Sequence, residues 1–138
     1  MQIRFLQSET ESKAGLFMEI ERIHHPFSVC KVKDYSLVDL NDAYCFIEKT
    51  EEENALVCLT EHVPENVTAR EDGWKAFRVR GMLDFSLIGI LAKLAALLAE
   101  HQISIFALST YNTDYILVKE ESYEQALKIL SDAGYKIV

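Results

Sequence analysis

The stretch Gly81 to Glu120, GMLDFSLIGILAKLAALLAEHQISIFALSTYNTDYILVKE, reads as loop, helix, strand, turn, strand. Two short polar clusters stand in it, LDFS at 83–86 and STYNTD at 109–114, each beside a strongly apolar element. In the helix, Leu87, Ile90, Leu91, Leu94, Leu97 and Leu98 recur at helical spacing and make one continuous stripe. Ile88, Ala92, Ala95, Ala96 and Ala99 make a second, smaller face. A helix apolar on two faces is expected to be sandwiched, here between its own sheet and a neighbouring unit. The apolar run from Phe85 to Ala99 is broken by Lys93 and falls short of the ~20 residues that span a bilayer. It is expected to be a buried helix, with no membrane partner.

Working outward, Phe77 and Val79 alternate with Arg78 and Arg80, the pattern of a half-buried strand. Ile103 to Leu108 has little alternation and suits a central strand. Ser109 to Asp114 is a polar turn, and Tyr115 to Lys119 is another strand. Ser122 with Gln125 has the spacing of a capping box that opens a second helix, and Gly134 is placed to end it in a left-handed cap. Tyr135 to Val138 closes the order β-α-β-β-α-β, the split βαβ or ferredoxin-like arrangement.

Before this unit, Phe27–Val32, Ala43–Lys49 and Ala55–Thr60 read as strands, with a hairpin turn at Glu51–Asn54. The segment KDYSLVDLND at 33–42 suits a short helix or a loop. The polar run PENVTARE at 64–71, followed by Asp72-Gly73, is the best boundary in the chain. The expected organisation is an N-terminal unit over 1–71 and a C-terminal unit over 72–138. The expected fold class is α+β, two ferredoxin-like βαββαβ units with antiparallel sheets and helices on one face, the first a degenerate copy.

The chain has 138 residues, 49% of them hydrophobic, and a formal net charge of -8. Free nucleic acid, which demands clustered Lys and Arg, is excluded as a partner. Cys30, Cys45 and Cys58 form no CxxC and cannot all pair, which points to a reduced, cytoplasmic compartment. The N-terminal MQIRFLQSETESK has no apolar signal core. His24, His25 and Cys30 lack the second ligand pair a zinc site needs, and Cys58, four residues before His62, sits in the apolar run ALVCLT. No metal site is expected. Phosphate-loop, dinucleotide and HExxH motifs are absent, and no cysteine has the polar, glycine-rich surroundings that activate a thiolate. No catalytic residue and no cofactor are assigned.

The polar clusters fit a small ligand instead. A helix N-terminus offers free N–H groups to a carboxylate. Gly81 lets backbone approach a ligand. Asp84 and Asp114 can accept an ammonium or guanidinium, while Ser86, Thr110 and Thr113 supply neutral hydrogen bonds. Each also has a plain structural role: Asp84 and Ser86 as helix caps, Asp114 and Asn112 as turn residues.

The residues Trp74-Lys75, GMLDFSLIGILAKLAALLAE and ISIFALSTYNTDYILVKE resemble an ACT domain, the small module that senses amino acids. More narrowly the chain resembles the compact bacterial tandem-ACT proteins, which are similar to the CASTOR-type arginine sensor. FSVCKV and the segment ending His62-Val63-Pro64 match that layout. Met82 stands where Pro is expected and Asn112 where Asp is expected, so ligand identity does not transfer. The resemblance implies two ACT units side by side, with a small ligand at their interface. The expected ligand is an amino acid, and the expected assembly a homodimer. The segments it assigns to that site are Gly81, Met82, Leu83, Asp84, Phe85 and Ser86, and Thr110, Asn112, Thr113 and Asp114 in the turn. The alternative is a ligand-free dimerisation or protein-interaction module. A small enzyme is a third class, for which the sequence shows no convergent base and nucleophile.

Overall fold

The computed structural model of the protein describes residues 18–80 and 87–138. In chain order the strands are β1 (Glu19–Val32), β2 (Cys45–Lys49), β3 (Asn54–Leu59) and β4 (Val67–Arg80). There follow helix α1 (Leu87–Glu100), β5 (Ile105–Ser109), β6 (Asp114–Lys119), helix α2 (Tyr123–Asp132) and β7 (Lys136–Ile137). Short 3-10 turns precede Val63 and Tyr123.

The described residues divide into two compact units, one made of residues 18–23, 77–80 and 87–138 and one of residues 24–76. β4 runs unbroken from Val67 to Arg80, across the position of the boundary expected at 71/72, and holds Asp72 and Gly73 within it. Gly73 takes φ 86 there. A glycine inside a strand marks a local kink, and polarity alone made it look like a linker.

In the first unit the strand order is β7-β1-β4-β6-β5. Alternating residues of one face, Ile20, Phe77, Val79, Ile116 and Val118, pack against α1 through Ile90, Leu94 and Leu98. The same core takes Tyr123, Ala126, Leu127 and Leu130 from α2. This is a ferredoxin-like α+β fold, as expected from the sequence. Three details differ. The Ile105–Ser109 strand stands at the edge of the order, not in its centre. Its burial follows suit, with Ala107 and Ser109 exposed. The last strand, β7, pairs with β1 in parallel, Glu19 opposite Lys136 and Ile20 opposite Ile137, so the sheet is mixed at that side. The second α1 face is not covered within the unit: Ala92, Ala96 and Ala99 are exposed and Ala95 is half-buried.

Both described helices end in the same way. At α2, Tyr135 N–H reaches Leu130 O (3.1 Å) and Gly134 N–H reaches Ser131 O (3.0 Å), with Gly134 at φ 104. This is the Schellman closure that the glycine predicted. At α1, Ile103 N–H reaches Leu98 O and Gln102 N–H reaches Ala99 O, both at 2.9 Å. Here Gln102 holds the left-handed position at φ 61. The His101 ring nitrogen meets Leu97 O at 3.0 Å, a helix-end contact. The capping box expected at Ser122 does not form. Ser122 is the last residue of a 3-10 turn, is itself αR, and its side chain makes no cap hydrogen bond.

The second unit has strand order β2-β3-β1-β4. Cys30, Val32, Leu56 and Cys58 form its core, with Tyr35, Val38, Cys45, Val63 and Val67 against them. No residue of 24–76 is α-helical. The segment 33–42 is a loop for a chemical reason. Asp34 Oδ1 accepts the Ser36 N–H (3.0 Å), and Asp39 Oδ1 accepts the Asn41 N–H (2.9 Å). Such Asx turns satisfy backbone donors locally and compete with a helix.

Two substitutions of opposite sign test this account by chemical denaturation. Leu130→Ala, at a fully buried core position, is expected to cost about 2–5 kcal/mol. Gln102→Gly relieves a left-handed non-glycine residue and is expected to stabilise by about 0.5–1 kcal/mol, after the entropy glycine adds to the unfolded chain.

Candidate functional site

Of the residues singled out from the sequence, the structure describes Thr110, Asn112, Thr113 and Asp114. β4 ends at Arg80, α1 begins at Leu87, and the β5–β6 turn crosses between Ser109 and Asp114. Gly81, Met82, Leu83, Asp84, Phe85 and Ser86 lie outside the described residues, and so do the caps expected at Asp84 and Ser86.

The turn itself is a two-residue hairpin loop with Tyr111 and Asn112 at its tip. Thr110 N–H donates to Thr113 O at 2.8 Å, and the Thr110 hydroxyl donates to the same carbonyl at 3.1 Å. Thr113 N–H returns a bond to Thr110 Oγ1 at 3.3 Å. The Thr113 hydroxyl donates to Val79 O at 2.7 Å and ties the turn to β4. Thr110 and Thr113 are therefore committed to holding the turn. Asn112 is exposed and Tyr111 is fully exposed.

Asp114 differs from its neighbours. It is only 8% exposed, one of two polar or charged residues among the described residues that are buried. Ser109 is its cross-strand partner and donates its hydroxyl to Asp114 Oδ1 at 2.5 Å. Because Thr110 and Thr113 close the turn with a backbone bond, the next pair, Ser109–Asp114, has no backbone bond and its side chains lie close. Side chains alternate along β6, so Asp114 shares the helix-facing side with Ile116 and Val118. The structure thus brings Ser109 and Asp114 together beside the strand that leads into the 81–86 segment. Ser109 was absent from the expected site; its position flanking a two-residue turn, opposite Asp114, was the available signal.

Two other polar groups went unread in the sequence. In the first unit Glu21 bridges two arginines: Arg78 Nε donates to its Oε1 at 2.8 Å, with a second, shorter bond from Arg78 Nη2, and Arg80 Nε stands 3.4 Å from Oε2. Arg78 also donates to Tyr115 Oη at 3.1 Å. Burial pulls the Arg78 guanidinium down, but its hydrogen bond to Glu21 and the charges of Tyr115 and Glu21 outweigh that and raise it. In the second unit the buried Ser28 hydroxyl donates to Asp72 Oδ1 at 2.5 Å and lies 2.9 Å from Thr60 Oγ1. Asp72 also takes Arg70 Nε at 3.1 Å. The Ser28 bond, then the Arg70 bond, hold the Asp72 carboxyl below the usual range. Both groups are internally satisfied and leave little capacity for a ligand.

A shallow groove of about 600 Å³ lies at the other end of α1, lined by Ala95, Ala99, Gln102, Ile103, Ser104 and Ile105. It holds no charged group and is poorly suited to a zwitterion. Among the described residues no cluster of three or more His, Cys, Asp or Glu could hold a metal. His62 is used instead by Asp42, whose Oδ2 lies 2.5 Å from its Nδ1. No described helix is long and apolar enough to cross a membrane.

Residues 69–132 match the model of the ACT domain family. They cover most of β4, both helices, and the Ser109–Asp114 turn. No curated protein matches the chain. Among solved structures it is similar to a protein from Agobacterium tumefaciens, at 23% identity and TM-score 0.78, over 88% of this chain and 92% of that one. It is also similar to a Vibrio cholerae protein of unknown function, at 25% identity and TM-score 0.69, over 93% and 98% of the two chains. The aspartate kinase of Clostridium acetobutylicum, an allosteric enzyme, superposes with TM-score 0.62 at 11% identity, over 85% of this chain and 34% of that one. The chain carries an ACT-type ferredoxin-like fold.

Proposed function

We propose that the protein is a non-catalytic regulatory sensor that binds a small ligand, an amino acid, at an interface between ACT units in a homodimer. The observation that supports this most is Asp114. A buried carboxylate is costly unless it is paired or bonded, and the Ser109 hydroxyl engages only Oδ1. The remaining acceptor capacity suits the ammonium or guanidinium of an amino acid. It lies within the ACT match, which also includes the segment Gly81–Ser86 that the tandem-ACT and CASTOR-type resemblance assigns to the ligand. Thr110, Asn112 and Thr113 would shape the rim, with Thr110 and Thr113 acting through the turn they hold. The exposed α1 alanines suit close approach of a helix from a second copy.

A thermal-shift screen of the reduced protein against the common amino acids tests the reading. A ligand at 100 times its dissociation constant is expected to add about 2.7 kcal/mol of stability. Silence across the whole set at millimolar concentration would remove the amino-acid sensor from consideration.

Asp114→Asn keeps the shape and an acceptor for Ser109 while removing the charge. It is expected to weaken the ligand found in that screen by about 10- to 100-fold, the value of a charge-assisted bond of about 1.5–3 kcal/mol. Unchanged affinity by calorimetry would take Asp114 out of the site. Ala96→Glu is expected to convert a dimer to a monomer in analytical ultracentrifugation, and a wild-type protein that sediments as a monomer refutes the homodimer.

A further inference from the structure

Three thiols share one side of the second unit's sheet. Cys58 is buried on β3, and its cross-strand partner on β2 is Cys45, which is half-buried. Cys30, buried on β1, belongs to the same apolar cluster as Cys58, with Cys45 packed against it. All three are free.

Register decides which pair can join. Thr50 N–H donates to Glu53 O at 3.0 Å and closes the β2–β3 turn as a hydrogen-bonded pair. Bonded and non-bonded pairs alternate from there, through Lys49–Asn54, Glu48–Ala55, Ile47–Leu56 and Phe46–Val57. Cys45–Cys58 is therefore a non-bonded pair, the class whose Cα atoms lie ~4.5 Å apart with side chains closest. A disulfide needs a Cα separation of about 4.4–6.8 Å. Cys30 stands opposite Leu56, two residues out of register with Cys58. Diagonal neighbours of that kind lie about 7–8 Å apart, outside the range.

We propose that Cys45 and Cys58 form a redox modification site that closes to a cross-strand disulfide under hydroperoxide. The half-buried Cys45 reacts first. Its thiolate attacks a peroxide oxygen, the O–O bond breaks, and the sulfur becomes a sulfenic acid as hydroxide or alkoxide departs. The Cys58 sulfur then attacks the Cys45 sulfur, the S–O bond breaks, and water leaves with the Cys58 proton. With hydrogen peroxide, two thiols and one oxidant give one disulfide and two waters. The bond pins the edge strand β2 to β3.

The surroundings make this a slow site. Burial raises the Cys45 thiol, and the Asp42 and Asp39 carboxylates add to the effect. Burial, then the neighbouring Cys30 and Cys45, push Cys58 up to about 12. Thiolate is scarce near neutral pH, so the site answers sustained oxidation and not a brief pulse.

The test treats the reduced, full-length protein with hydrogen peroxide, then measures intact mass and maps peptides without reduction. The expected product loses two hydrogens per chain, links the Cys45 and Cys58 peptides within one molecule, melts at a higher temperature and reverts with dithiothreitol. Its rate of formation is expected to rise about tenfold per pH unit below the Cys45 thiol pKa. Cys30→Ser is expected to retain the link. Cys45→Ser, at a half-buried edge position, is expected to abolish it while keeping a cooperative melt. A Cys30–Cys58 link, oxygen addition at Cys45 without cross-linking, a link only between molecules, or a full thiol count after prolonged exposure would each overturn the proposal.

Discussion

The architecture depends on the placement of the first five residues of β1. Glu19 and Ile20 pair with the last strand, β7, and β1 is also a neighbour of β4 in the strand order. With Ile20 at the centre of the helix-covered core, the chain must leave the first unit after Ile23 and return to it at Phe77. Residues 24–76 are thus an excursion from a unit whose opening and closing strands are already joined. β1 and β4, each 14 residues long, make that excursion possible without a linker, because each continues from one unit into the other as strand. The parallel β1–β7 pair follows from the same placement: β1 takes the position beside β7 and leaves β4 next to β6.

The readable parts of the sequence were those with a local cause. The α1 stripe of Ile90, Leu94 and Leu98 is set by helical period and is buried as read. Gly134 ends α2 because a left-handed residue is needed there and glycine takes it without strain. The parts that misled were those settled by partners far along the chain. Nothing local in Ile105–Ser109 says that it lies at an edge; its place at the end of the strand order among the described residues does. Nothing local in PENVTARE says that Val67 onward is strand, since its hydrogen-bonding partners belong to β1 and a glycine with positive φ disguises the continuity. The loop at 33–42 lies between these cases. Its Asx turns are local, but the apolar Leu37, Val38 and Leu40 obscure them until the Asp34 and Asp39 contacts are seen.

The candidate site was legible to the same degree. Spacing alone marked Ser109–Asp114 as a polar turn, but it could not rank the residues within it. Hydrogen bonding ranks them. Thr110 and Thr113 spend their hydroxyls on Thr113 O and Val79 O, whereas Asp114 is buried with one carboxylate oxygen held by Ser109. Substituting either threonine would move the turn, while substituting Asp114 would alter the charge the turn carries.

The Ser109 contact also bears on how such a site would recognise a cation. An unconstrained aspartate loses side-chain entropy when it binds, and a carboxylate already oriented by a neighbouring hydroxyl loses less. The orientation is fixed by register: a two-residue loop forces the Ser109–Asp114 pair into the close, non-bonded class. The same rule, applied to the Thr50–Glu53 turn of the other unit, brings Cys45 against Cys58. In both hairpins the turn length determines which side chains meet several residues away. The chemistry then depends on what stands at those positions: a hydroxyl and a carboxylate in one, two thiols in the other.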